Sequence, residues 1–344
     1  KVQTLIYVLS LRALLNGFEN VGVVSFRANL DFSKDFRYGM YQKLSSFVIV
    51  VVLAIVLRNY WALVIAIVAG RLLSTAISYW MHPFRPRFSL SKTRDIFSFS
   101  FWILAVQVSN FLSTKADEFV VGGIAGTTKM GYYAVASDTA AAPTLELVVP
   151  LTRALFPIYS KFADDGPRLR DAYLNVLSTV AILCISTSVG VSLVAYDFAT
   201  VLLGQQWGAA APLIVWLALG SAAIGLADGV LTIFNVTNRA SYSAVAVGIR
   251  VFLLIPVVAL AGIFWGIEAV AISRAAVYGL MVPALFFALT RILPMGLGDI
   301  WARLWRPLSA AVAMSLVVTL VHGQVPEIPS LRLVIDAGTG ARTF

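Results

Sequence analysis

The sequence is poor in the residues on which many catalytic and metal-binding sites are built. It has one cysteine, Cys184, and two histidines, His82 and His322, among 344 residues. A single cysteine excludes a disulfide framework and a metal site made of several cysteines. The two histidines are far apart in sequence, and neither lies near a nucleophile motif. We therefore expect no metal site, no cofactor and no enzymatic activity.

Charge is also scarce. Only 12% of the residues are charged and 59% are hydrophobic, whereas a soluble domain carries about 25% charged residues. The mean hydropathy is +0.86. The connections between the apolar runs are short, so none could form an extramembrane domain that holds a nucleotide or a soluble catalytic centre. This composition indicates a polytopic membrane protein.

Ten apolar runs reach, or nearly reach, the roughly 20 residues that cross a bilayer. They cover residues 4–25, 40–57, 60–81, 97–124, 131–158, 171–195, 209–235, 242–263, 266–293 and 307–322. In lipid the backbone must satisfy its own hydrogen bonds, so runs of this length predict helices. The predicted fold class is an all-α, polytopic transmembrane helix bundle of about ten spans.

The basic residues alternate between the two sides of the predicted bundle. Fifteen fall in the connections on one side, and only Arg58 and Lys129 fall in the connections on the other. Basic residues are enriched in cytoplasmic loops, so this pattern assigns the basic side to the cytoplasm. The net charge of +9 follows from this orientation and does not indicate a nucleic-acid partner.

Several predicted spans carry charged side chains. Each costs about 2.5–3.5 kcal/mol at the centre of a membrane, so such residues normally face protein or a water-filled cavity. Helical spacing aligns the polar residues of five spans into stripes, which predicts two lobes around a central cavity. The candidate cavity residues are Gln107, Asn110, Lys115, Asp117, Glu118, Asn235, Arg250, Arg274 and Tyr278. The candidates for binding a coupling ion are Asp117, Glu118 and Asp228.

Two simpler interpretations of these polar residues stay open. Hydroxyl and small residues such as Ser221, Gly225 and Thr232 also mediate ordinary contacts between membrane helices. Long side chains such as those of Arg12 and Arg71 can extend to the membrane boundary.

Two hairpins of the sequence match in length, orientation and the position of an arginine. They read RNYWALVIAIVAGRLLST, from Arg58, and GIFWGIEAVAISRAAVYG, from Gly262, and they place Arg71 and Arg274 alike. An offset of six spans predicts parallel repeats, as known in transporters. We expect residues 1–95 to be the last three helices of an N-terminal lobe with a cytoplasmic linker. Residues 96–293 would then form a six-helix C-terminal lobe, and 294–344 an additional helix and the start of another.

One stretch resembles a known family. ADEFVVGGIAGTTKMGYYAVA, from Ala116 to Ala136, resembles the signature of the polysaccharide and lipid-linked oligosaccharide flippases of the multidrug/oligosaccharidyl-lipid/polysaccharide exporter superfamily. The stretches RANLDFSKDFRYG and VLLGQQWGAAAPLIVWLAL resemble further parts of that family in order and spacing. The resemblance implies helices four to thirteen of a longer protein that has twelve to fourteen.

The resemblance also implies a function. A flippase of this kind turns a polyprenyl-diphosphate-linked oligosaccharide over from the cytoplasmic to the periplasmic leaflet of the inner membrane, by alternating access, for surface polysaccharide synthesis. Its expected partners are that glycan, membrane lipids, and the polysaccharide polymerase and chain-length machinery. Lys115, Arg250 and Arg274 would bind the diphosphate, because cations form charge-assisted hydrogen bonds to phosphate.

Three alternatives remain at this point. A cation-coupled multidrug antiporter and a lipid II flippase belong to the same superfamily. A membrane glycan polymerase or glycosyltransferase is more remote, because it needs a sizeable outer loop or a reactive site rich in carboxylates. The longest outer connection, about 196–209, holds only Asp197 as a charged residue.

Overall fold

The computed structural model describes residues 2–28, 31–85, 93–322, 336–337 and 339–340. The regular elements in these ranges are helical, which confirms the predicted all-α class. The main helices are α1 (Val2–Gly17), α2 (Val24–Ala28), α3 (Phe32–Leu57), α4 (Tyr60–Met81), α5 (Thr93–Lys161), α6 (Gly166–Leu193), α7 (Ala195–Phe198), α8 (Ala211–Val236), α9 (Ala240–Trp265), α10 (Ile267–Thr290) and α11 (Leu297–His322). The chain divides into two compact units, Lys1–Ser100 and Phe101–Phe344.

Seven helices of the described chain are long and apolar enough to cross a membrane, namely α3, α4, α6, α8, α9, α10 and α11. Their number confirms a multi-pass membrane protein, whereas the total of ten spans stays a prediction. Helix α4 has the limits that the sequence predicted, and α8 differs from its predicted span by only one or two residues at each end.

The first predicted span, 4–25, is interrupted, because α1 already ends at Gly17. Beyond that end lies Asn20, which is fully buried. Its Nδ2 donates to the carbonyl oxygens of His82, at 3.2 Å, and Phe84, at 2.9 Å. This side chain therefore links the interruption to the end of α4 and satisfies backbone carbonyls there that would otherwise need other partners.

Helix α3 begins well before its predicted start at residue 40, because Asp31 caps it. The Asp31 Oδ1 accepts a hydrogen bond from the Lys34 backbone N–H at 3.2 Å, and Oδ2 lies 2.8 Å from Lys34 Nζ. The side-chain hydrogen bond from Lys34 lowers the pKa of Asp31 below its ordinary value, so the cap is a carboxylate at neutral pH.

Helix α11 also begins earlier than predicted, at Leu297 rather than at residue 307. Pro307 lies inside the helix instead of starting it. The added turns are amphipathic, since Ile300 and Leu304 are buried in an apolar cluster with residues of α6 while the positions between them are exposed. The exposed Arg303 and Arg306 made the segment look like a loop in the sequence.

The core of the second unit consists of two apolar clusters. One joins α6, α8, α10 and α11 around side chains such as Tyr173 and Leu289, and the other lies around Tyr133 and Ile214. Prolines interrupt neither α9 nor α10, although each helix contains one. Both helices therefore continue through their prolines.

Candidate functional site

A single glycine turns α5 into a helical hairpin. Gly126 has φ +83° and ψ 172°, a backbone conformation that side chains disfavour. A Cβ on Gly122 would lie 2.7 Å from the Met130 Sδ. The two residues would be about 12 Å apart along an unbroken helix, so their contact means that the chain doubles back. The predicted connection between spans 97–124 and 131–158 is thus a tight turn.

The hairpin brings a carboxylate and a phenol together. The Tyr133 hydroxyl donates to the Asp117 Oδ2 at 2.6 Å, across the turn. Both residues are almost completely shielded from solvent, with Asp117 1% and Tyr133 0% exposed. A carboxylate in this position needs a counter-charge, because an isolated buried charge is strongly unfavourable.

Arg274 of α10 supplies that counter-charge. Its Nη1 lies 2.6 Å from the Asp117 Oδ2 and 3.0 Å from the Ser137 hydroxyl. The Arg274 side chain is 12% exposed, so the pair is largely desolvated. We call Asp117, Tyr133, Ser137 and Arg274 the Asp117 cluster. It joins both arms of the α5 hairpin to α10 by charge-assisted hydrogen bonds.

One hydrogen-bond acceptor of the Asp117 cluster has no partner among the described residues. The Asp117 Oδ1 is buried and has no hydrogen-bond partner among the residues that the structure describes. A carboxylate oxygen accepts hydrogen bonds readily, and leaving one unsatisfied costs about 1–3 kcal/mol or more. The unsatisfied oxygen leaves Asp117 able to accept a further hydrogen bond.

Tyr278 extends the cationic side of the site toward α9. The guanidinium carbons of Arg250 and Arg274 lie 5.3 and 5.8 Å from the centre of its ring. Cations within about 6 Å of an aromatic face are attracted to it. The predicted alignment of Arg274 with Tyr278 is therefore present, and Arg250 joins it from the neighbouring helix.

The space beside this cationic pair is small. The cavity lined by Arg250, Tyr278 and apolar residues of α8, α9 and α10 has a volume of about 10 Å³. That volume holds about one water molecule. This cavity beside Arg250 and Tyr278 is therefore too small for a ligand of sugar size in this conformation.

Lys115 and Glu118 form a second pair beside the Asp117 cluster. The Lys115 ammonium contacts Glu118 on its own helix and lies 3.4 Å from the Asp138 carboxylate of the other hairpin arm. Lys115 is one-third exposed, whereas the Glu118 side chain is only 9% exposed. The charges of residues 115–118 are thus divided between two separate ion pairs.

The remaining predicted site residues are spread more widely. Gln107 and Asn110 lie on the first arm of α5, and their side chains fall outside the described part of the structure. Asp228 is half-buried on α8, and Asn235 is exposed near the end of the same helix. Asn235 is not a hydrogen-bond partner of the Asp117 cluster among the described side chains, so its role as a sugar contact stays a prediction.

Sequence reasoning missed Tyr133 and Ser137 as partners of Asp117. Tyr133 belongs to the stretch that resembles the flippase signature, but helical periodicity compares positions on one helix only. A partner across a turn becomes visible when the turn itself is recognised. The predicted connection between residues 124 and 131 was the available sequence signal, and the reversal at Gly126 is what sets Tyr133 opposite Asp117.

The simpler interpretation is favoured for the hydroxyl residues. The hydroxyl oxygens of Thr144, Ser188 and Ser221 form a closed triangle with distances of 3.0–3.3 Å between α5, α6 and α8. All three residues are buried. Gly225 allows α8 to approach α6, since a Cβ there would lie 2.5 Å from the Cys184 Sγ. These residues therefore mediate helix packing.

The first unit contains a charge cluster of its own. The Glu19 carboxylate accepts hydrogen bonds from the Tyr38 hydroxyl and the Arg71 guanidinium, and Gln42 Nε2 lies 3.4 Å from it. We call these four residues the Glu19 cluster. Arg71 therefore has an acidic partner inside the unit, while its extension to the membrane boundary stays an open interpretation.

In the described part of the chain, no group of three or more histidine, cysteine, aspartate or glutamate residues could hold a metal ion. Cys184 is a free, buried thiol.

The fold and the buried charge clusters define a class, namely multi-pass helical membrane proteins with polar sites inside the bundle. A family model described as polysaccharide biosynthesis protein matches residues 1–212. That match covers more than half of the chain, and the chain belongs to this family.

Two curated relatives give the scale of the similarity. The lipopolysaccharide biosynthesis protein WzxC of Escherichia coli (strain K12) is 25% identical over 216 residues, which are 60% of this chain and 44% of that protein. The succinoglycan biosynthesis transport protein ExoT of Rhizobium meliloti (strain 1021) is 25% identical over 218 residues, 62% of this chain and 44% of that protein. The chain thus spans less than half the length of these relatives.

A solved structure has the same fold. The lipid II flippase MurJ in an inward closed conformation superposes with a TM-score of 0.73, over 87% of this chain and 64% of that one. The sequence identity is 14%, so this structural similarity supports the fold and no more.

Proposed function

We propose that the whole protein is a flippase that moves a polyprenyl-diphosphate-linked oligosaccharide from the cytoplasmic to the periplasmic leaflet of the inner membrane. The observation that carries this proposal is the family match over residues 1–212 on a multi-pass helical bundle. The names of WzxC and ExoT, with lipopolysaccharide biosynthesis and succinoglycan transport, support a role in surface polysaccharide synthesis. The polysaccharide polymerase and chain-length machinery would then act on its product.

The diphosphate would be bound by Arg250 and Arg274, with Tyr278 between them and Lys115 nearby. In the present conformation Asp117 neutralises Arg274. An incoming diphosphate carries more negative charge than one carboxylate and can accept the same guanidinium donors bidentately. Binding would therefore exchange one anion for another on Arg274 and release Asp117.

A coupling ion would act on the same exchange from the acidic side. Protonation of Asp117, or a cation beside its free Oδ1, would weaken the attraction between Asp117 and Arg274. Glu118 and Asp228 are the further candidates for this role. Opening the Asp117 cluster would separate α10 from the α5 hairpin, and such a step suits alternating access, in which one helix group moves against another.

The lobes in this proposal are those predicted from the sequence. Residues 1–95 would belong to the N-terminal lobe, residues 96–293 would form the C-terminal lobe, and residues 294–344 would add a helix and the start of another. Transport would require both lobes of the whole protein.

The alternatives have less support. A multidrug antiporter should favour acidic residues in its cavity, whereas the Asp117 cluster adjoins two arginines and a lysine. A lipid II flippase is supported by a likeness in fold only. A glycan polymerase or glycosyltransferase has less support because ExoT is named as a transport protein. We therefore propose a transporter without catalytic activity.

The test uses the full-length gene. After its deletion in the host, strains are complemented with wild type, Asp117→Asn, the double variant Arg250→Gln/Arg274→Gln, or Arg291→Gln, which removes an exposed arginine. Surface polysaccharide and lipid-linked repeat units are then measured at equal protein levels.

We expect wild type and Arg291→Gln to restore polysaccharide. In the double variant, lipid-linked repeat units should accumulate. Rescue by Asp117→Asn would mean that Asp117 has only a structural role. Full rescue by the double variant would contradict diphosphate binding by Arg250 and Arg274. Unchanged polysaccharide after deletion, with new drug sensitivity, would point to the antiporter.

A further inference from the structure

A polar cavity lies at the start of α11, away from the Asp117 cluster. It has a volume of about 360 Å³, room for on the order of ten water molecules. Its charged lining residues are Arg170 and Asp171 of α6, and Asp299, Arg303 and Arg306 of α11. The proposed transport role uses none of these residues.

Arg170 and Asp299 give the cavity a fixed wall. The Arg170 Nη2 lies 2.9 Å from the Asp299 Oδ2, which also accepts the Gly296 backbone N–H at 3.0 Å. Arg170 Nη1 lies 2.9 Å from Asp171. The Arg170 Nε is shielded from solvent and has no acceptor among the described residues, so Arg170 still has a donor to offer.

The other two arginines have no acidic partner within 4 Å in the described ranges of the chain. Both aspartates of the cavity are engaged by Arg170, and none of the ion pairs in those ranges involves Arg303 or Arg306. Both side chains are exposed, and the Arg306 guanidinium lies 5.5 Å from the centre of the Trp305 ring. The charged residues that line the cavity therefore have a net charge of +1, and the two arginines at its rim form no ion pair with the described residues.

The surroundings of the rim have the composition of a membrane interface. Trp301 is 62% and Trp305 46% exposed, on the same turns of α11 as the two arginines. Tryptophan is enriched where hydrocarbon meets headgroups. The alternation of basic residues predicts that this end of α11 faces the cytoplasm, where anionic lipids attract basic clusters and basic pockets between helices bind their headgroups.

We propose that this cavity binds the phosphate headgroup of an anionic membrane phospholipid. Arg303 and Arg306 would contact the phosphate, Arg170 would form the back of the site, and the two tryptophans would lie against the lipid's glycerol and upper acyl region. Such a lipid would hold the first turns of α11 against α6. The site is independent of the transported substrate.

The test measures lipid binding to the complete 344-residue chain in a neutral detergent. Phosphatidylglycerol and phosphatidylcholine are titrated separately, and the apparent Kd is taken from the shift in thermal unfolding temperature. The variant Arg303→Gln/Arg306→Gln removes the rim charges. The matched control, Arg239→Gln/Arg291→Gln, removes two exposed arginines elsewhere, so both variants lose the same net charge.

We expect phosphatidylglycerol to bind more tightly than phosphatidylcholine. The loss should be about fivefold per arginine, hence roughly 25-fold for Arg303→Gln/Arg306→Gln, and the control should stay within about twofold of wild type. Equal losses in the two variants would overturn the proposal, because they would show attraction by net charge alone. Equal affinity for both lipids would overturn it too. Displacement of the lipid by millimolar inorganic phosphate would indicate a site for free anions instead.

Discussion

The two units solve the same electrostatic problem with the same three kinds of side chain. In the first unit, Glu19 is bound by the Tyr38 hydroxyl and the Arg71 guanidinium. In the second unit, Asp117 is bound by the Tyr133 hydroxyl and the Arg274 guanidinium. Each carboxylate thus accepts hydrogen bonds from one cation and one phenol, and these partners stabilise an acidic side chain inside a helical membrane protein.

The two clusters differ in how much water reaches them. Side chains of the Arg274–Asp117 pair are 12% and 1% exposed, whereas those of the Arg71–Glu19 pair are 20% and 27% exposed. Ion pairs that keep contact with solvent contribute little, while removing one partner of a buried pair is costly. We infer that the Asp117 cluster is the more consequential for stability.

The comparison also bears on the predicted repeat. Arg71 and Arg274 occupy matching places in the two similar hairpins. Their acidic partners do not occupy matching places. An offset of six spans relates α1, which precedes Glu19, to α8. Asp117, however, lies on α5. The hairpin therefore repeats the arginine, and each unit supplies its own acid.

The largest effect is expected from Arg274→Ala. It leaves Asp117 buried without a counter-charge, which should lower the free energy of unfolding by about 3–5 kcal/mol. The measurement is unfolding in mixed detergent–SDS micelles, followed by helical circular dichroism. The double variant Asp117→Ala/Arg274→Ala should regain much of the loss. Equal instability of the single and double variants would contradict the ion-pair interpretation.

The next effect should come from Tyr133→Phe. It removes one hydrogen bond to a buried carboxylate, worth about 1.5–3 kcal/mol, and leaves the ring in place. The matched variant Tyr38→Phe should cost less in the same assay, because the Glu19 cluster is wetter. A larger loss for Tyr38→Phe would reverse the ranking of the two clusters.

A backbone change in the second unit should have a somewhat smaller effect. Gly126→Ala places a side chain at φ +83° and ψ 172°, a backbone region essentially restricted to glycine, which costs about 1–3 kcal/mol. Gly123→Ala is the control, because a Cβ there meets no atom within 4 Å and the backbone is helical. If both variants unfold alike, the turn at Gly126 does not carry strain of this kind.

The smallest effect should come from Arg71→Ala. The Glu19 carboxylate keeps the Tyr38 hydrogen bond and some solvent, so we expect a loss of about 1 kcal/mol or less. Raising the salt concentration should shrink the difference from wild type, whereas the effect of Arg274→Ala should persist. A larger loss of unfolding free energy than that of Arg274→Ala would contradict the stability ranking of the two clusters.

Composition and periodicity predicted much of this architecture. The all-α class and the limits of α4 follow from runs of apolar residues. The cost of charge in a membrane selected Asp117 and Arg274 as candidate site residues, and helical alignment with Arg274 added Tyr278. Periodicity places residues on the face of one helix, but it does not say which helices are neighbours. The contact of Tyr133 with Asp117 depends on the turn at Gly126 and was therefore missed.

The errors in helix limits have equally specific causes. The interruption near Asn20 depends on carbonyl oxygens more than 60 residues later in the chain, so no local pattern predicts it. The early start of α11 arises because two buried residues anchor an arginine-rich segment on α6. In both places a tertiary contact decides a local structure.

The spacing of the Asp117 cluster along the chain sets an order of events during synthesis. Tyr133 follows Asp117 by 16 residues, so the two can meet as soon as the α5 hairpin has left the ribosome. Arg274 follows Asp117 by 157 residues, which at bacterial elongation rates means a delay of roughly 10–30 s. During that interval Tyr133 is the partner in this cluster that Asp117 can reach. The insertion of α10 then brings Arg274, which neutralises the Asp117 carboxylate.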